Sequence, residues 1–420
     1  MGLKSKIKRF FHNRWAALCR TWHYVAIVIP FVIVALCIAS IVASVIRIHT
    51  VLDGQTFQYR AEYFGSSKMS YRHLTVLALG LEQEDGSAPR SRSGGLNTES
   101  VKQLHDELDN TERSNNGSDA RSQALLSSIE NLWMDCYSSS AVYSAKGFID
   151  KVEQGSVDSA EIVGVGGYYG AIHPFRFESG GFLQPEDGDR YAIVLNTQLA
   201  WNLFHSYDVL GALVEIANIR YEVVGVVCEG DDAIAEATGV TKPRAYVEFS
   251  ELAHLINGPV SRKGGQASLE PGGEGSGTVE EQDLAVTCYE VLLTDPIKNI
   301  AYNDLIKVMG DTIGYSQGTS TSMEVINNTG RFNVLTLYKK FFPLKNTVDG
   351  NINGIKVPYQ ERSARLAEQY VVFWAEVLIV SGLMLIVGLC GVYSTLHGRK
   401  TKHAIVYVDE DEEIPEIHRV

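Results

Sequence analysis

Two long apolar runs bracket a middle in which apolar and polar positions alternate. Tyr24 to Ile46 carries no formal charge, and Tyr370 to Tyr393 carries only Glu376. At about 1.5 Å per residue, either run crosses a hydrocarbon core of roughly 30 Å as a helix. Between them the period keeps changing. Tyr71–Leu79 alternates like a strand. Thr98 and Ser100 offer caps for a helix through about Leu108, and Ala120 to about Trp133 resumes a helical period. Ala141–Ser144 begins another strand, Tyr191 to Leu195 is a compact apolar run, and Asn196 or Thr197 caps a short helix to Phe204. Ala212–Ile216 and Arg220–Val227 predict a hairpin turning near Ala217-Asn218. Ala245–Phe249 and Ala285–Leu293 read as strands, with helices after Ser250 and from Ile300 to Met309. Arg331 to Phe342 is apolar, and helical character returns from Glu361.

Charge orders these pieces across a membrane. Residues 1–21 hold Lys4, Lys6, Lys8, Arg9, Arg14 and Arg20 and no acid, with Leu3, Ile7, Phe10, Phe11, Trp15 and Leu18 at helical spacing. That pattern suits a helix lying in the headgroup layer, or a leader that only sets topology. Arg399, Lys400 and Lys402 follow the second run. Basic flanks at the outer ends of both runs predict cytoplasmic termini. The resulting plan is a cytoplasmic basic amphipathic segment over 1–21, a transmembrane helix over 22–48, an extracytoplasmic domain over 49–369, a second transmembrane helix over 370–394 and a cytoplasmic acidic tail over 395–420. A cleaved signal peptide competes for the first run, but its apolar core would be shorter, about 7–15 residues. Flexible loops are expected at about 82–95 and 258–282, where Gly and Ser accumulate. Within the spans, Ala35, Ala39 and Ala43, and Ser40 with Ser44, make small faces that permit close helix packing. Glu376 is a candidate intramembrane polar contact, or a side chain that snorkels outward.

Composition narrows the function. The formal net charge is -13, and the basic residues cluster only near the N-terminus, which argues against nucleic acid as a partner. Apolar residues make up 45% of the chain, enough for a folded domain. Six cysteines without CxxC or Cys/His spacing give no zinc motif. Among Cys136, Cys228 and Cys288 at most one disulfide could form, and its pairing is not readable. Gly164-Val-Gly166-Gly167-Tyr168-Tyr169-Gly170 misplaces the third glycine of a dinucleotide loop. Glu186, Asp187 and Asp189 read as a solvated acidic turn rather than a cation site. No G-x-x-x-x-G-K-[ST] loop, HExxH or nucleophile elbow occurs. The chain is therefore expected to be no enzyme, with no catalytic, cofactor-binding or metal residues and no cofactor.

From Gly164 to Val227 the sequence resembles the extracytoplasmic core domain of MacB-type ABC transporter permeases. The likeness rests on Val163-Gly-Val165, Tyr168-Tyr169, the loop from Gly180 to Asp189, Ala192-Ile-Val-Leu195, Leu199-Ala-Trp-Asn-Leu-Phe204, Val209-Leu-Gly211 and Val223-Val-Gly-Val-Val227. Ala245-Tyr-Val-Glu-Phe249 and Tyr289 to Asp295 continue it, so that it covers roughly residues 1–310. Gly164, Tyr168, Tyr169, Gly180, Phe204, Gly211 and Gly225 mark the family-like core.

The resemblance implies an α+β extracytoplasmic domain with a porter-like βαβ lobe and a smaller inserted α/β lobe, set between two transmembrane helices. It also implies mechanical transmission rather than bond chemistry. Family permeases carry four spans, whereas two are visible here, so the chain is expected to be a two-span variant. Implied partners are the bilayer, a separate ABC ATPase subunit with a multi-span permease, an extracellular protein or peptide, and further copies of the chain. Two other roles stay open: an ATPase-independent membrane-anchored sensor or envelope-assembly protein, and an extracellular hydrolase, which the missing constellation disfavours.

Overall fold

The computed structural model describes residues 3–64, 69–80, 90–91, 95–116, 132–183, 190–230, 232–257, 284–318, 320, 322–341, 351–352 and 355–409. The chain divides into two compact units, Met1–Val51 with Gln369–Val420, and Leu52–Glu368.

After helix α1 (Leu3–Asp53), a 3-10 turn and α2 (Arg60–Phe64) lead into β1 (Tyr71–Ala78) and α3 (Thr98–Asn116). The long strands β2 (Met134–Ile149) and β3 (Val152–Gly167), α4 (Tyr169–Ile172) and β4 (Arg176–Gly180) follow. Next come β5 (Ala192–Asn196), α5 (Thr197–Phe204), β6 (Leu213–Ile216), β7 (Ile219–Cys228), α6 (Ala233–Thr238), β8 (Arg244–Glu248) and α7 (Phe249–Asn257). The chain continues through β9 (Cys288–Thr294), α8 (Ile300–Ile313), β10 (Met323–Asn327) and α9 (Val334–Phe341). Two short strands, β11 (Asn351–Ile352) and β12 (Ile355–Lys356), precede α10 (Tyr359–Asp409).

One mixed sheet organises Leu52–Glu368. Its order is β10-β1-β9-β2-β3-β8-β5-β7-β4, and β6 pairs with both β2 and β7. Every position of β5 and β9 is buried, so both strands are covered on both faces. The β3–β8 and β5–β7 pairs are parallel, and α5 lies in the connection from β5 to β7. Two hairpins turn on two residues each. Ala217 and Asn218 take φ 49° and 65°, matching the turn expected from sequence. Asp150 and Lys151 take φ 48° and 68° and join the 16-residue strands β2 and β3. Positive φ at both central residues gives the turn the twist of the flanking strands. Asp-Lys lacks the usual glycine, so the pattern disclosed only the Ala141–Ser144 part of β2.

Among the described residues, two of the apolar clusters on the sheet are built with its covering helices. In the first, Leu104 and Leu108 of α3 and Leu305 and Met309 of α8 pack on Leu74, Val76, Val291 and Leu293. In the second, Leu199, Ala200 and Leu203 of α5 pack on Ile193, Leu195, Val223 and Ala245. Each fully buried leucine contributes about 2 kcal/mol relative to exposure. The Asn196 side chain caps α5 by accepting from Leu199 N at 2.9 Å, as the sequence suggested. At α3 the first cap is Asn97, whose Oδ1 accepts from Ser100 N at 2.8 Å while Ser100 Oγ accepts from Asn97 N. That helix runs on to Asn116 instead of ending near Leu108. Its added turns carry the Arg113–Asp109 pair at 2.6 Å, and Trp133 Nε1 donates to Asp109 at 3.2 Å. Strand β10 was not legible, because only Met323 of its five residues is buried. The helix expected over 120–133, the loops at about 82–95 and 258–282, and the acidic turn Glu186–Asp189 lie wholly or mostly outside the described residues.

Two helical stretches, Val28–Asp53 and Tyr359–Leu396, are long and apolar enough to cross a membrane. Cys37 and Ser44 are buried, and the Ser40 and Ser381 hydroxyls meet at 2.8 Å. A Cβ on Gly388 would lie 2.9 Å from Val34 Cγ2, so glycine permits that approach. The two small stripes therefore separate: Ser40 and Ser44 line the helix pair, whereas Ala35, Ala39 and Ala43 are exposed. Glu376 is exposed as well.

Candidate functional site

Much of the buried polar chemistry of Leu52–Glu368 lies on one face of the sheet. In β1, β9 and β2, Thr75, Glu290 and Cys136 lie side by side in register. One row along, Leu77 and Cys288 pack against Ile355 and Val357, bringing the residues just before α10 onto this face. The first turns of α10 are then held by charge. Arg331 donates Nη1 and Nη2 to the two carboxylate oxygens of Glu361 at 2.5 and 2.7 Å, and Nε to Glu368 Oε1 at 2.5 Å. Its Nη1 also reaches Asn328 Oδ1 at 3.3 Å. Arg365 donates to Glu361 at 2.6 Å and to Glu324 of β10 at 3.4 Å. Glu368 is fully buried. Burial opposes the charge on Arg331, but Glu361 and Glu368 outweigh it and hold its pKa above the ordinary arginine value. A planar guanidinium matches a carboxylate with two parallel bonds, so the cluster fixes orientation as well as charge.

A second cluster joins β3, β8 and the start of α10. Arg244 donates Nε and Nη2 to Glu161 Oε2 at 2.9 and 2.8 Å, and Nη1 to Glu229 Oε2 at 2.5 Å. Tyr246 OH donates to the other oxygen of Glu229, and Asn196 Nδ2 donates to Oε2 at 3.1 Å. Burial works against the Arg244 charge, yet Glu229 and Glu161 raise its pKa well above the ordinary value. Its guanidinium lies 4.2 Å over the Tyr359 ring, a cation–π contact with the first residue of α10. A cavity of about 40 Å³ beside Arg244, Tyr169 and Gln360 is large enough for about one water.

Between these clusters lies an aromatic layer with a buried histidine. Tyr169 stacks on Phe182, and its ring is 4.1 Å from that of His173. Gln360 Nε2 donates to Tyr169 OH at 3.2 Å. Glu290 Oε2 is 2.6 Å from His173 Nε2 and 3.6 Å from Cys136 Sγ, while Oε1 accepts from Thr75 Oγ1 at 3.1 Å. His73 Nε2 is 3.8 Å from Oε1. Burial would raise the pKa of Glu290, but His173, His73 and the Thr75 hydroxyl bring it down to about 2. Burial depresses the pKa of His73 to about 4 against the pull of Glu290.

The family-like residues serve this arrangement unequally. Tyr169 is buried at its centre, whereas Tyr168 is half-exposed. Gly164 faces α7, where an added Cβ would lie 2.2 Å from Leu252 Cδ1. At the β4–β7 edge, a Cβ on Gly225 would lie 2.0 Å from Gly181 O, and Gly180 takes φ +67°. Only glycine allows that backbone crossing. Gly211 turns the chain before β6, and the Phe204 ring crosses Gly147 of β2. Tyr169 of this set touches the polar face. Sequence reasoning missed Arg331, Arg244, Glu229, Glu290 and His173 as site residues. Their nearest charged partners lie 15 (Arg244–Glu229), 30 (Arg331–Glu361) and 117 (His173–Glu290) positions away, so no local spacing marks them. Cys136, Cys228 and Cys288 are all free thiols, so no disulfide joins them.

Away from this face, His105 Nδ1 lies 2.9 Å from Asp135 Oδ2, which also accepts from Tyr289 OH at 2.9 Å. The hydrogen bond to Asp135 raises the His105 pKa against partial desolvation. A raised histidine pKa favours the folded state below the unfolded value of about 6.5 and loses that contribution as pH rises through the folded value. The full chain in detergent is therefore expected to lose less than about 1 kcal/mol over that rise, the ring being half-exposed. Thermal unfolding of His105→Asn checks this: its stability should be flatter over the same window.

The fold is a mixed α+β domain flanked by two helices long and apolar enough to cross a membrane, its polar face built around the start of the second. Residues 31–272 match the MacB-like periplasmic core domain, more than half of the chain, and the chain belongs to that family. It is thus a membrane protein with an extracytoplasmic domain of the kind found in ABC-type transporter components. Among solved structures, the periplasmic region of MacB from Actinobacillus actinomycetemcomitans is 15% identical, with 65% of this chain and 94% of that one covered and a TM-score of 0.38. The extracellular domain of the noncanonic ABC-type transporter YknZ from Gram-positive bacteria is 12% identical, with 61% and 100% covered and a TM-score of 0.35. No curated protein matches the chain.

Proposed function

We propose that this chain is a non-enzymatic membrane component of an ABC-type envelope assembly. Its external domain binds a protein or peptide partner and exchanges conformational change with the membrane helices. The observation that carries the reading is the Arg331 cluster. It ties the first turns of α10, the helix that continues into a span, to the sheet of a MacB-like domain. A bidentate buried pair suits such a link, because it has one preferred geometry and strongly resists breaking.

In this reading both termini are cytoplasmic, following the basic flanks of the two spans. Force comes from a separate ABC ATPase working with a multi-span permease, and the chain acts as an oligomer.

Affinity purification from mild detergent tests the assignment. Co-recovery of an ATPase and a multi-span permease is the expected result. Recovery of neither, under conditions that retain a known ABC complex, contradicts it and leaves an ATPase-independent sensor or envelope-assembly protein.

A further inference from the structure

The Cys136–His173–Glu290 cluster brings three side chains of metal-ligand type together in the interior. The three side chains come from β2, from the residue closing α4, and from β9. All are buried, and their donor atoms lie within 4.8 Å of one another. His173 Nε2 sits 2.6 Å from the Glu290 carboxylate, yet neither ring nitrogen of His173 has a hydrogen-bond partner of acceptable geometry. Nε2 therefore has the Glu290 carboxylate only as an ion-pair neighbour, and Nδ1 has no hydrogen-bond partner among the described residues. Polar atoms left without a partner in a protein interior are costly, which favours a ligand that satisfies them.

We propose that Cys136, His173 and Glu290 bind one divalent transition-metal ion, zinc being the ion these donors suit best. A thiolate, an imidazole and a carboxylate are all zinc ligands, at about 2.3, 2.0–2.1 and 2.0–2.2 Å respectively. Tetrahedral bonds of those lengths put donor atoms roughly 3.3–3.8 Å apart. The observed separations straddle that range: Cys136 Sγ is 3.6 Å from Glu290 Oε2, His173 Nε2 is closer to it at 2.6 Å, and no pair exceeds 4.8 Å. Shifts of about an ångström or less bring the donors onto one ion.

The surroundings are those of a supported ligand set. Thr75 holds Oε1 of Glu290, which leaves Oε2 facing the other two donors. Rings of Tyr169 and Phe57, centred 4.1 and 5.6 Å from that of His173, fix its plane and exclude water. Outer groups that orient ligands in this way tune metal sites. Burial raises the Cys136 thiol pKa, and the nearby Glu290 carboxylate raises it further. Coordination reverses this by replacing the thiol proton, which leaves to solvent, with the cation. The ion would join β2 and β9 to the α4 turn, and so tie the family-like Tyr169 segment to the sheet. Sequence spacing could not disclose it, since 37 and 117 residues separate the successive donors.

The test uses the full chain without an affinity tag, stripped with a chelator in mild detergent and titrated with Co²⁺ as the spectroscopic probe. The expected result is one saturable cobalt per chain, with a thiolate-to-cobalt charge-transfer band that Zn²⁺ abolishes stoichiometrically. Cys136→Ser should lose the band, Cys228→Ser should keep it, and Glu290→Gln should weaken binding by about tenfold or more. A wild-type chain that takes up no cobalt overturns the proposal whatever the variants do. So does a band that survives in Cys136→Ser or disappears in Cys228→Ser.

Discussion

Arg331→Met destabilises the full chain by about 3–5 kcal/mol, the usual cost of breaking a buried ion pair from one side. The loss arises because Glu361 and Glu368 stay buried after the guanidinium at 2.5 Å from each has gone. Arg365 still holds Glu361 at 2.6 Å, but Glu368, with no exposed surface, loses its strongest cation. Methionine fills much of the same volume, so the effect is electrostatic rather than a cavity. Neutralising Glu368 as well, with Glu368→Gln in the Arg331→Met background, recovers most of the loss, since its uncompensated charge is the source, while Glu361 keeps Arg365 at 2.6 Å. Chemical unfolding in detergent, followed by far-UV circular dichroism, measures both. A single variant within about 0.5 kcal/mol of wild type, the range of an ordinary surface substitution, contradicts the account.

Arg244→Met is the second large effect, again about 3–5 kcal/mol. Here Glu229 has no exposed side-chain surface and loses its 2.5 Å partner, while Glu161 loses both of its bonds to the same guanidinium. A further contribution of about 1 kcal/mol goes with the Tyr359 ring contact. Glu229→Gln in the Arg244→Met background restores stability better than Glu161→Gln does, because Glu161 is partly exposed and water solvates its charge. The same unfolding measurement separates the two double variants. Equal rescue by both would show that burial does not set the cost.

The fold was more legible than the site, for a physical reason. Amphipathic periods, caps and two-residue turns act over a few residues, so Tyr71–Ala78, the Asn196 cap, the Ala217-Asn218 hairpin and Ile300–Ile313 could be read from the chain. Asn97 and Ser100 form a cap one residue earlier than expected, a change the same local rules accommodate. The site depends on pairings between distant segments. Arg331 opens a stretch that reads only as apolar, and nothing nearby announces Glu361 and Glu368 as its partners. Glu290 sits in a strand that alternates well enough for its carboxylate to look solvent-facing, but that face is covered by residues 355–368. The glycines were visible for the opposite reason. Gly164 and Gly225 mark close backbone approaches, and the phrases around them carried the family likeness.

The central claim is that the first turns of α10 belong energetically to the sheet. Amide hydrogen exchange on the full chain in lipid nanodiscs tests it most directly. The account predicts that amides of residues 363–368 exchange with the same opening free energy as those of β1 and β9, and that Arg331→Met lowers the helix value while the sheet keeps more of its protection. Exchange of residues 363–368 in the wild-type chain that is orders of magnitude faster than that of β9 would contradict it.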